Sequence, residues 1–257
     1  MAKAARTAKA RPAPAKADAA AAFVARLEAL QSDAELAKIR RYFKANPGDY
    51  AAGDVFMGVR MGSLFALADE FVAMAPGEIE VLLESPIHEV RAGGLSIMAK
   101  QMRRKATTAG RRKELYDLYL RRHDRINTWD LVDLGAWHVV GAYLIDRPRA
   151  VLRRLARSKN MWERRTAMLA TFAFIKRDEF DDTLQIAETL LGDREDLIHK
   201  AAGGMLREVG RRDKTRLTAF LEKHAAAMPR TMLRTAIEKL PQAERTRYLK
   251  DAGGKTR

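Results

Sequence analysis

The sequence predicts an all-α fold, a solenoid of antiparallel helix pairs, and three observations lead there. Apolar residues recur at spacings of three and four along most of the chain, which is the period of one helix face. Glycine and proline are sparse through the middle and fall mainly between the periodic stretches. No convincing strand or hairpin signal interrupts the pattern.

Composition agrees with that reading. Of 257 residues, 47% are hydrophobic and only 7% aromatic, a balance suited to covering helix faces. A continuous solenoid can reach this length without dividing into separate cores. Cysteine is absent, which removes disulfides, thiolate metal sites and cysteine nucleophiles and leaves the cytoplasm as the favoured compartment. No run approaches ~18 uncharged apolar residues and no secretory apolar core is visible, so neither a membrane span nor export is expected.

Taken in order, residues 1–17 mix Ala, Lys, Arg and Pro and are expected to form a disordered basic tail. Lys3, Arg6, Lys9, Arg11 and Lys16 suit a loose phosphate tether, a solubilising tail or, third, a transit peptide. From Asp18, the spacing of Phe23, Leu27 and Leu30 and then Leu36, Ile39 and Phe43 predicts two helices ending near Asn46-Pro47-Gly48. Residues 47–61, with Gly53 and Gly58, read as irregular chain. Helices follow near 62–74, 77–84 and 87–104, set off by punctuation such as Pro76-Gly77 and Pro86. Further periodic stretches cover 110–122, 128–144, 148–157, 161–175, 179–191, 195–210, 213–227, 230–239 and 242–249. Residues 18–250 thus read as one repeat domain, with 251–257 as a flexible tail. Pairs of roughly 35 to 45 residues with short links match HEAT-like solenoids better than a bundle. Such stacks curve, and their concave face is a groove suited to extended ligands.

Charge is distributed unevenly. The net +15 includes five cations in residues 1–17, while residues 18–96 hold seven basic against twelve acidic residues, which leaves +15 for 97–257. Lys100 to Arg125 carries ten basic and three acidic residues, and Arg147 to Arg177 carries ten basic residues against Glu163 alone. Lys200, Arg207, Arg211, Arg212, Lys214 and Arg216 form a third cluster. A regional positive field concentrates polyanions through counterion release, so a concave basic groove binding nucleic acid is expected. An anionic membrane is the weaker alternative, because no basic helix pairs its charge with an exposed aromatic face. Any one of these arginines also reads as a solvated helix face.

Several residues do not fit a plain core. In Asn127-Thr128-Trp129-Asp130-Leu131-Val132-Asp133, Asn127 and Asp130 read as an N-cap and a first-turn acid. Asp133 sits one turn deeper, between Trp129 and Trp137 at four residues on either side. It is either a functional carboxylate or a salt bridge to a neighbouring helix. Asn160 and Glu163 are spaced as a capping box ahead of Arg165, beside Met161 and Trp162. In the run Lys200 to Glu208, paired Gly203 and Gly204 weaken a helix unless something requires close approach.

The Trp129-to-Asp133, Trp162-to-Arg165 and Lys200-to-Glu208 runs, in this order and spacing, resemble the AlkD-type DNA alkylation-repair glycosylases over roughly Phe23 to Arg247. Weaker similarity surrounds Arg41-Tyr42-Phe43-Lys44 and Phe56-Met57-Gly58-Val59-Arg60. The resemblance implies a HEAT-like fold that grips duplex DNA carrying alkylated bases and excises cationic N3- or N7-alkylated purines, as a monomer without cofactor or metal. It implies that Trp129, Asp133 and Arg165 are the catalytic set and meet the sugar and phosphate of the damaged nucleotide. It places Arg207 in the DNA cleft, and Lys200, Tyr42, Arg60, Trp162 and Trp137 are further candidates for DNA contact. Gly204 stands where the family pattern has a second tryptophan.

Other chemistry finds no support. His88, His123, His138, His199 and His224 are scattered without ligand spacing, and His138 reads as a satisfied core histidine. No Walker loop, dinucleotide fingerprint or nucleophile elbow is present. Two alternatives to a glycosylase stay open: a relative that binds damaged or branched DNA without cutting, and a repeat scaffold for an acidic protein.

Overall fold

The computed structural model describes residues 19–43 and 49–251. The tail at 1–17, the Asn46-Pro47-Gly48 turn and all but the first residue of 251–257 lie outside them. Sixteen α-helical segments follow one another: α1 Ala19–Glu28, α2 Asp33–Tyr42, α3 Met61–Glu70, α4 Pro76–Glu84, α5 His88–Arg103, α6 Ala109–Arg121, α7 Trp129–Gly135, α8 Ala142–Leu144, α9 Ala150–Leu155, α10 Met161–Ala170, α11 Phe172–Ile175, α12 Asp181–Thr189, α13 Asp196–Arg212, α14 Lys214–His224, α15 Arg230–Ala236 and α16 Gln242–Asp251. Among the described residues there is no β-strand, only one bridge between Val55 and Ile87. Among the described residues, no helix is long and apolar enough to cross a membrane.

The helices stack in two rows. One row runs α3, α5, α7, α10, α13, α15, each packed on the next, while α4, α6, α9, α12 and α14 pack behind it. Most buried apolar side chains from Ala20 to Tyr248 form one extended cluster between the rows, and Ile175, Phe180 and Val209 form a smaller one. This is the solenoid that the periodicity predicts: each apolar stripe is covered by its neighbours rather than by one central core.

Three expected helices are broken. The stretch read as 128–144 leaves α-helical geometry after Gly135 and passes through a π turn at Ala136–Gly141. A Cβ on Gly135 would lie 2.4 Å from the Tyr119 ring, so glycine lets the chain cross α6 at close range. The stretch read as 161–175 breaks at Thr171, whose hydroxyl donates to the Met168 carbonyl at 2.7 Å and competes with the helical ladder. The stretch read as 62–74 stops at Glu70.

Caps also differ from expectation. Thr128, not Asn127, occupies the N-cap of α7, and the Asn127 amide donates instead to Asp54 at 3.4 Å. Asn160 does cap α10, accepting from the Trp162 amide at 2.9 Å, but its own N–H donates to Ser158 Oγ, so the box with Glu163 is not closed. The irregular segment ahead of α3 is held by Glu89, buried at the start of α5. Its carboxylate accepts from the backbone N–H groups of Met57, Gly58 and Val59 at 3.0, 2.9 and 3.4 Å. Gly58 turns there with φ of 86°, in the left-handed region that glycine enters at no steric cost.

Many cations of the basic clusters are neutralised between repeats. Arg121 pairs with Glu80 at 2.8 Å, Arg164 with Asp193 at 2.6 Å and Arg212 with Asp178 at 2.6 Å, while Arg149 takes both Glu179 and Asp182. Charge counting along the chain therefore overstates the field, because the acids that cancel it come from 29 to 41 residues away. Arg103, Arg104, Lys105, Arg154, Arg157 and Lys176 have no acidic partner among the described residues.

Candidate active site

Successive helices of one row each supply a part of the site. The seven-residue helix α7 presents Trp129 and Asp133 one turn apart, and α10 brings Arg165 against them. Arg165 is buried and donates from Nε and Nη2 to a single oxygen, Asp133 Oδ1, at 3.0 and 2.8 Å. Its remaining nitrogen, Nη1, donates to the Leu197 carbonyl on α13 at 2.7 Å. The guanidinium thus ties α7, α10 and α13 together. Asp133 Oδ2 has no partner among the described residues, and 41% of the side chain is open to solvent.

Surrounding protein disfavours the charged form and pushes the Asp133 carboxyl above its usual range, with the Arg165 guanidinium opposing that push. Water at one edge of the group and the guanidinium at the other both favour the charged form against that push.

Trp129 forms one wall of an apolar cavity of about 570 Å³, with Tyr42, Phe43, Phe56, Met61 and Phe65 around it and Arg60 and Asp133 also on its lining. The Trp129 ring stacks on Phe43 with centroids 5.7 Å apart at 15°, and exposed Tyr42 meets it edge-on at 5.7 Å. Its Nε1 donates to Tyr50 Oη at 3.1 Å, and Tyr50 leans in turn on Trp162.

Asp133 also lines a second cleft, of about 390 Å³, with Trp137, Phe172, Arg207, Glu208 and Arg211. The carboxylate stands between two indoles as the spacing predicts, but the π turn carries Trp137 out of register, so each indole serves a different concavity. Lys176 Nζ lies 5.1 Å from the centre of the Trp137 ring.

The other candidates are placed as follows. Trp162 is buried behind Tyr50, with only 8% of its surface exposed. Arg207 pairs with Glu238 at 2.6 Å, and Lys200 with Asp196 at 2.8 Å. Gly203 allows a close approach, since a Cβ there would lie 2.5 Å from the Met232 carbonyl on α15. A Cβ on Gly204 would meet nothing within 4 Å. Gly204 stands one helical turn before Glu208, a residue of the cleft that Asp133 lines.

Sequence reasoning missed the group behind Trp129. His88 opens α5 fully buried, with Nε2 2.7 Å from Asp130 Oδ2 and Nδ1 3.2 Å from Asp54 Oδ2. Burial opposes a charged ring, yet the hydrogen bonds to Asp130 and Asp54 outweigh it and raise the pKa to about 9. The one available signal was polar His88-Glu89-Val90-Arg91 opening an otherwise apolar helix. His138, expected to be a satisfied core residue, is half-buried against Trp137 with no hydrogen-bond partner among the described residues. Burial, then Arg103 and Lys176, lower its pKa to about 4.

The fold and site together are those of a helical repeat whose successive helices present an arginine-held carboxylate beside stacked aromatic rings. A family model described as DNA alkylation repair enzyme matches residues 23–240, and the chain belongs to that family. Among solved structures, a predicted DNA alkylation repair enzyme from Enterococcus faecalis is similar with a TM-score of 0.64 at 15% identity, covering 82% of this chain and 97% of that one. At that identity the likeness speaks for the fold. No curated protein matches the sequence.

Proposed function

We propose that this DNA alkylation repair family member is a DNA N-glycosylase that releases cationic N3- or N7-alkylated purines from duplex DNA. The observation that carries the reading is Asp133: one oxygen is locked by Arg165, the other is unpartnered and open to solvent, and Trp129 stands one turn away.

Breaking an N-glycosidic bond develops positive charge at C1′ as the base leaves. A fixed carboxylate stabilises that charge and orients the attacking water, at no cost in reorganisation. Because Arg165 grips Oδ1 with two donors, Oδ2 is held in place to face the sugar. A cationic purine already carries the charge that a general acid would otherwise supply, so one carboxylate suffices. Exposed Tyr42 and the Trp129 ring offer π-faces to nucleotides, and Arg60, Lys200 and Arg207 offer charge to the backbone.

The test is release of 7-methylguanine from methylated duplex DNA. Wild type is expected to release base, and Asp133→Asn to be slower by about 10²-fold or more. No release by wild type above that variant overturns the reading. It would favour damaged-DNA binding without cleavage, which the empty space at Gly204 makes the second reading.

A further inference from the structure

Neutral imidazole has a single N–H, yet both nitrogens of His88 face carboxylate oxygens. Only the doubly protonated ring satisfies both contacts. The second oxygens are committed as well: Asp54 Oδ1 accepts from Arg91 Nη2 at 2.7 Å, and Asp130 Oδ1 accepts from the Thr128 hydroxyl at 2.8 Å. His88 thus joins the loop carrying Asp54, its own helix α5 and the first turn of α7. The same ring packs against both Phe43 and Phe56, with centroids 5.0 and 4.9 Å away, and Phe43 is the residue on which Trp129 stacks.

Asp130 follows Trp129 directly and precedes Asp133 by three residues, on a helix of seven residues that ends in a π turn. Buried Leu131 and Val132 pack α7 between its neighbours α5 and α10, and the chain continues helically through the π turn. The placement of its first turn, where Trp129 and Asp130 stand, depends in addition on what holds that end, since the first N–H groups of a helix have no partner within it. Arg165 holds one end through Asp133, and His88 holds the other through Asp130. A buried charge is costly unless it is paired and fully hydrogen-bonded, and an apolar side chain would fill this space without that demand. What the charged ring adds is direction.

From this arrangement we infer that His88 is a positioning residue for the Asp133 site, fixing the start of α7 and the Trp129–Phe43 stack so that Trp129 and Asp133 hold their relative placement. The raised proton affinity of the ring agrees with that role. The reactive consequence rests on the glycosylase reading above, whereas the placement of Trp129 does not.

The experiment compares full-length wild type, His88→Gln and Asp130→Asn in three measurements: single-turnover release of 7-methylguanine, affinity for the same duplex, and the NMR signals of the His88 ring nitrogens and the Trp129 indole N–H. Misplacement of a reacting group costs rate rather than binding, so release is expected to fall by about 10- to 100-fold in each variant, with affinity changing by less than about threefold. The two losses should not add in the double variant, because both residues act through one contact. Wild type should show two ring N–H groups at neutral pH, and the indole signal should shift in both variants.

Release at the wild-type rate by a folded His88→Gln protein, or additive losses, overturns the inference. So does a neutral ring in wild type, a result that does not depend on any variant folding. If wild type releases no base, the glycosylase reading fails. The indole shift still decides whether His88 places Trp129: an unmoved signal overturns the inference, and a moved one upholds it.

Discussion

Asp133 and Arg165 form an unequal pair. The guanidinium is buried and spends three nitrogens on Asp133 and Leu197, whereas the carboxylate spends one oxygen and keeps the other. Replacing Arg165 by lysine keeps the charge but loses the planar fork, so it is expected to slow base release nearly as much as Asp133→Asn while duplex affinity stays close to wild type. Thermal unfolding should show a loss of about 1–3 kcal/mol, because the Leu197 carbonyl loses its donor and Asp133 its locked oxygen. The acid limb of the pH–rate profile belongs to the same residue. Burial moves the Asp133 carboxyl upward, so release should fail, as pH drops, at a midpoint above the ~3.9 of an ordinary aspartate. A midpoint at or below that value would assign the limb to another group.

Gly203 and Gly204 give a paired test on one helix. Alanine has the higher helix propensity by about 1 kcal/mol. At Gly204 nothing opposes that gain, so Gly204→Ala should raise the melting temperature. At Gly203 a backbone carbonyl 2.5 Å from the new Cβ must move, so Gly203→Ala should lower it. Differential scanning calorimetry on the two variants checks the sign of each. The larger change, Gly204→Trp, places an indole one turn from Glu208, which shares a cleft with Asp133. It should fold, and under the glycosylase reading it should release 7-methylguanine faster than wild type.

At the scale of elements, the segment before α3, helix α5 and helix α7 are joined through His88, Asp54 and Asp130, with Arg91 on Asp54. The folded ring keeps its proton up to about 9, whereas an unfolded histidine releases it near 6.5. The stabilisation from this clamp is therefore complete below about 6.5 and lost as pH rises through 9. Melting temperature should fall across that window in wild type, and the fall should shrink in His88→Gln. Little of this was legible beforehand. Asp54 and Asp130 lie 34 and 42 residues from His88, and no spacing rule connects residues on three separate elements. The Asn127 cap was misread for a related reason, since the side chain found a tertiary partner in Asp54. The π turn was equally hidden, because the apolar period continues through it while the close crossing of Gly135 over Tyr119 belongs to tertiary packing.

For the whole molecule, cations without an acidic partner among the described residues, Arg103, Arg104, Lys105, Arg154, Arg157 and Lys176 among them, are free to release counterions. A duplex that meets all six should show log K falling with log salt at a slope of roughly −5, from about −0.9 per phosphate. Fluorescence anisotropy across a salt series measures it, and a slope near zero would point to a scaffold for an acidic protein rather than a DNA-binding surface.

Helix order, the solenoid rhythm and the placing of Trp129 and Asp133 one turn apart were readable from the chain alone, because periodicity is local and the helices obey local rules. Which cations remain unpaired, which oxygen of Asp133 is open, where the second indole faces and what stands behind Trp129 were settled only by the folded stack. Each depends on a partner from another repeat, and contacts between repeats are fixed by packing in three dimensions rather than by any spacing along the sequence.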